Sequence, residues 1–139
     1  MNVVSNLLIS PTIIWEATAE TVLTAAGPKQ LSGAWQLMLL GDGSPTRHLK
    51  LLTGYEVAVK LIAMEKESFP SQDAPLEVRE LQRPLLRRQV WLQCGKETLA
   101  WAESWWNLVE AEKHLQKKDQ PIWKSLTQDR SELFREVDG

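Results

Sequence analysis

The sequence predicts an α+β domain, and three observations carry that prediction. Apolar residues recur at helical spacing over Gln30–Leu40. A second helix opens at Ser44-Pro45 with good start chemistry. Leu85–Asn107 reads as two alternating strands around a Gly95-Lys96 turn. The chain has 139 residues, the length of one domain. A chain of about that size buries roughly two thirds of the surface its unfolded form exposes, enough for a core of its own.

Taken in order, Met1–Trp15 is apolar but has no Lys or Arg ahead of its hydrophobic run, and Pro11 interrupts it. It reads as neither a secretory signal nor a spanning helix. The expectation is a strand or edge element packed on the domain. In Gln30–Leu40, Leu31, Trp35 and Leu39 share one stripe with Ala34 and Met38, and Gly41-Asp42-Gly43 ends the helix. Ser44 is a good N-cap and Pro45 suits the first helical position, because its missing N–H would have no partner there. Gly54 stops that helix, and Tyr55–Met64 reads as a strand rich in Val, Ile and Leu. Lys66–Pro75 is polar, holds two prolines and reads as a loop. It separates a helical part from a hairpin-plus-helix part.

Counting from a two-residue turn, Cys94 faces Glu97, Leu92 faces Leu99, Val90 faces Trp101 and Arg88 faces Glu103. Period two puts all of these on one face. The other face carries Arg87, Gln89, Trp91 and Gln93. Helices are expected over Asn107–Lys118 and Lys124–Val137.

Composition narrows the functional classes. Hydrophobic residues make up 43% and charged residues 24%, so the chain is not disordered as a whole. Lys+Arg is 16 against 18 Asp+Glu, which argues against a general nucleic-acid binder. One cysteine, Cys94, excludes an internal disulfide and a cysteine-based zinc cage, and points to a reducing, cytoplasmic setting. No metal ligand set is expected. His48 and His114 are far apart and read as surface helix residues, and Cys94 as a small packed residue.

The residue that asks for a function is Arg88, on the more apolar face of its strand between Leu86 and Val90. A guanidinium keeps its charge, so burial demands an anionic partner. Glu103 across the hairpin is one candidate. A substrate carboxylate gripped by the Arg fork is the other.

Several segments, in order, resemble one family. They are Leu39–Arg47 (LLGDGSPTR), Arg88–Leu92 (RQVWL), Ala102–Trp106 (AESWW) and Pro121-Ile122-Trp123. Together they are similar to the chorismate pyruvate-lyases, in the branch of cyanobacteria and red-algal plastids. The resemblance implies an antiparallel sheet with helices packed on it and a closed, dry pocket. It implies conversion of chorismate to 4-hydroxybenzoate and pyruvate for quinone synthesis, without metal or cofactor. It makes Arg88 the carboxylate-holding and catalytic residue, with Pro45 and Ile122 as further substrate contacts. Ser44, Thr46 and Glu103 are expected to support them. Trp123 departs from the commoner Pro-Leu-Gly of the wider family.

The resemblance also implies two further strands after Val137, the last bearing an acidic pocket residue. The expectation is therefore one chorismate lyase-like domain over residues 1–139, C-terminally truncated. Glu132 and Glu136 belong to the preceding helix and are not given that acidic role. A second reading is a non-catalytic domain that binds an aromatic carboxylate, or an inactive remnant of the same fold. The related ligand-binding domains of transcription regulators follow a helix-turn-helix domain, and the first thirty residues show no such pattern.

Overall fold

The computed structural model describes residues 7–24, 31–41 and 43–114 of the chain. Its elements run α1 (Ala19–Leu23), α2 (Gly33–Leu40), α3 (Pro45–Thr53), β1 (Val57–Glu67), a 3-10 turn (Leu76–Glu80), β2 (Leu85–Cys94), β3 (Glu97–Asn107) and α4 (Leu108–His114). The strands form one antiparallel sheet with β2 between β1 and β3. With helices packed on it, the architecture is the α+β type read from the sequence. No helix among the described residues is long and apolar enough to cross a membrane.

Local chemistry accounts for most element ends. Ser44 sits in extended backbone at the N-cap of α3, with Pro45 at its start. Gly54 closes α3 at φ +75°, and its N–H donates to Lys50 O at 2.8 Å. The Ser44 hydroxyl does not cap a backbone N–H as expected. It pairs with Thr46 Oγ1 at 2.8 Å. Asn107 caps α4, its Oδ1 accepting from the N–H groups of Val109 and Glu110 at 3.0 and 3.2 Å. The sequence reading did not include α1 or the 3-10 turn. β1 runs on to Glu67, past the expected loop boundary. The expected helix from Asn107 is present as α4; its continuation and the Lys124–Val137 helix lie outside the described residues.

The hairpin turns as expected, with Gly95 at φ +61° and Cys94 paired to Glu97. The register beyond it does not hold. Gln93 pairs with Thr98, but Leu92 pairs with Ala100, so Leu99 is an extra residue in β3. Such a bulge moves every later side chain of that strand to the opposite face. Arg88 therefore faces Ser104, and Glu103 faces Gln89. The expected Arg88–Glu103 pairing is wrong. The physical reason lies in what the helices cover. The shift puts small Ala100 and Ala102 beneath α2 and α3, while Leu99 still reaches that core.

That core joins Met38 of α2 and Leu49 of α3 to Val59, Val90, Leu92 and Cys94. A second cluster joins Ala111 of α4 to Met64 and Leu86, with Trp106 and Leu108 packed against it. At roughly 1.5–3 kcal/mol per fully buried large aliphatic side chain, these clusters anchor the helices to one side of the sheet.

The other side mixes Arg87, Gln89 and Glu103 with Trp91, Trp101 and Trp105, and carries the N-terminal segment. Residues 7–18 form neither helix nor strand. The Ile9 N–H donates to Gln89 Oε1 at 2.8 Å, and Gln89 Nε2 donates to Ile9 O at 2.9 Å. Gln89 is fully buried. The segment thus packs on the domain as expected, but against a side chain rather than as a strand of the sheet.

Candidate functional site

Consecutive strand residues point to opposite faces, so β2 sends Arg87 and Arg88 in opposite directions. Both are buried, at 6% and 3% exposure. Their surroundings differ in kind.

Arg87 enters a carboxylate cage. Its Nε donates to Glu103 Oε2 at 2.8 Å, one terminal nitrogen to Asp73 Oδ2 at 3.0 Å, and the other to Glu67 Oε1 at 3.4 Å and Ser71 Oγ at 3.1 Å. The guanidinium also lies over the Trp105 ring, 5.1 Å from its centroid. Gln89 Nε2 donates to the same Glu103 oxygen. Burial alone would lower the Arg87 pKa, but the bonds to Glu103 and Asp73 outweigh it and hold the group above its ordinary value. The Ser71 and Arg87 hydrogen bonds in turn hold the Asp73 carboxyl below 3.8. This is a structural ion cluster that ties the β1–β2 connection to the sheet.

Arg88 enters the helix-covered side, at the seam of the two apolar clusters. Its strand neighbours on that face are Leu86 and Val90, and its cross-strand neighbours are Met64 and Ser104. Directly opposed residues on one face stand about 5 Å apart at Cβ. Desolvation pushes the Arg88 pKa down to about 10. It remains a cation at neutral pH, in a wall of aliphatic side chains. Trp106, two residues along from Ser104, donates its Nε1–H to Ser104 Oγ at 3.1 Å.

The other residues of interest sort plainly. Ser44, Pro45 and Thr46 form the half-buried first turn of α3. That helix reaches β2 through Leu49 one turn later. Glu103 lies across the sheet from Arg88 and serves Arg87 and Gln89 instead. Ile122 lies outside the described residues. Cys94 is buried in the core as expected. His48 is half-buried rather than a surface residue: Gly41 and Gly43 wrap its ring so closely that a Cβ at either would fall within 2.8 Å of it. A groove of about 480 Å³ at the hairpin end, lined by Thr53, Tyr55, Cys94, Lys96 and Leu99, lies at the opposite end of β2 from Leu86 and Arg87.

The sequence reading did not find the roles of Arg87 and Gln89. The Leu99 bulge hid them, because strict alternation opposed them to the wrong β3 residues. The available signal was the supply of acids, Glu67, Asp73 and Glu103, which one buried arginine can draw together.

The profile of the family described as chorismate pyruvate-lyase Rv2949c-like matches residues 39–139, well over half the chain. The chain belongs to that family. The match takes in α3, the whole sheet and α4. Relatives of the lyase-like chain include the uncharacterized protein ycf21 of Cyanophora paradoxa, 28% identical over 126 residues, covering 90% of this chain and 65% of the relative. The uncharacterized protein ycf21 of Porphyra purpurea is 30% identical over 106 residues, covering 74% of this chain and 55% of the relative. The chain thus spans about half to two thirds of the length of these curated relatives. No solved structure matches it.

Proposed function

We propose that this lyase-like chain binds chorismate and eliminates pyruvate to leave 4-hydroxybenzoate, as a step toward a quinone such as plastoquinone. The observation that carries the reading is Arg88, a cation on the apolar, helix-covered face in a member of this family. Chorismate presents two carboxylates. An arginine fork takes one of them in bidentate fashion, and a dry wall strengthens that contact. Elimination leaves an aromatic ring, so much of the driving force belongs to the substrate. The protein's task is to bind, orient and exclude water, which requires no nucleophile. In this reading Arg88 holds the ring carboxylate, and Pro45 and Ile122 supply apolar wall positions. The setting that suits it is the cytoplasm.

The test is direct. Purified chain is incubated with chorismate, and both pyruvate and 4-hydroxybenzoate are measured. Stoichiometric release of the two, lost in Arg88→Ala and in Arg88→Lys, supports the reading, because a point charge does not reproduce the fork. No release by a folded chain that still binds 4-hydroxybenzoate would leave a binding domain instead of an enzyme.

A further inference from the structure

We propose that Ser104 is a second donor to the carboxylate that Arg88 holds, and that Trp106 positions Ser104 for this role. The inference rests on the lyase reading above and goes beyond it by naming a contact on β3. Register places Ser104 directly opposite Arg88 on the helix-covered face. A serine hydroxyl has one proton and two lone pairs. One lone pair accepts the Trp106 Nε1–H at 3.1 Å. No other described residue takes the proton, which is therefore available to a ligand.

The chemistry of the pair is consistent. Arg88 has donors only, and Ser104 has a donor to offer beside it. Two donors converging from neighbouring strands fit one carboxylate, whose oxygens accept several hydrogen bonds. Trp106 matters through geometry. Its ring packs with Met64 and Leu86. Its N–H fixes the Ser104 rotamer, so the proton is aimed before the ligand arrives. The bulge at Leu99 is what makes this possible. Without it, position 103 would face Arg88 and the site would hold a carboxylate of its own.

The experiment is calorimetric titration of 4-hydroxybenzoate into the full chain and into Ser104→Ala, Ser104→Thr, Trp106→Phe and the Ser104→Ala/Trp106→Phe double variant. Melting temperature is recorded for each. Ser104→Ala is expected to weaken binding about tenfold, the scale of a lost hydrogen bond to a charged group. Ser104→Thr, which keeps the hydroxyl, restores most of it. Trp106→Phe weakens binding severalfold, and the double variant is no worse than Ser104→Ala alone. That non-additivity is the mark of one residue acting through the other, which a general loss of packing does not produce. Wild-type affinity in Ser104→Ala overturns the inference while leaving the lyase reading intact. So does a Ser104→Thr variant as weak as Ser104→Ala. Absence of binding by the folded wild-type chain overturns both.

Discussion

Two adjacent arginines with opposite surroundings allow a sharp test by substitution. Arg87→Met removes the cation from a cage whose Glu103 and Glu67 side chains are only 11% and 14% exposed. Two carboxylates are then left buried without their counter-charge. Removing one partner of a buried pair costs about 3–5 kcal/mol. For a domain of this size that is a fall of about 10 °C or more in melting temperature. Arg88→Met acts differently. Arg88 lies on the other face, where desolvation pushes its pKa to about 10 from 12.5. Methionine fills similar volume there and leaves Glu103 and Glu67 with the counter-charge of Arg87. Ligand affinity should divide the other way, abolished in Arg88→Met and kept in whatever fraction of Arg87→Met folds. The assay is urea unfolding of both variants, each also combined with Glu103→Ala. Glu103→Ala should be strongly non-additive with Arg87→Met and additive with Arg88→Met. Additivity of Glu103→Ala with Arg87→Met, or coupling of Glu103 to Arg88, would refute the assignment of the cage to Arg87.

Three further outcomes follow from the geometry. Asp73 has a depressed pKa, so its contribution is present above about pH 4 and lost as pH falls through the lower folded value; Asp73→Asn should flatten the acid limb of stability measured by urea unfolding across that range. Gly41→Ala should destabilise more than Gly43→Ala, because the new Cβ meets backbone Leu37 O at 2.6 Å as well as His48, whereas at Gly43 it meets only the His48 ring; His48→Ala should rescue the second and not the first, as read by melting temperature. Gln89→Leu should abolish hydrogen-exchange protection of the Ile9 amide while the central strands stay protected.

Much of this architecture was legible in local chemistry. Ser44-Pro45 and Gly54 bracketed α3, and Gly95 fixed the hairpin turn. Arg88 stood out because a charge between Leu86 and Val90 breaks an apolar stripe, and its face is the one the helices cover. What stayed hidden was non-local. A single extra residue, Leu99, reverses which β3 side chains meet Arg88, and no local signal marks it. The tie between Ile9 and Gln89 spans 80 positions, beyond the reach of any periodicity. Helix α2 shows the limit of reading by stripes. It is apolar almost all round, yet only Met38 is buried, while Leu37 is 67% exposed.

The Ile9–Gln89 tie also sets an order of assembly. Contacts of long sequence separation form late, since the loop they close must first be ordered. During synthesis at about 5–20 residues per second, Ile9 is made roughly 4–16 s before Gln89. For that interval the nascent N-terminal segment has no docking surface. Leu7, Ile13 and Ile14 stay exposed even in the finished fold, at 88%, 71% and 91%. The stretch around Ile9 thus waits, once made, for the central strand that holds it, and is secured only late in folding.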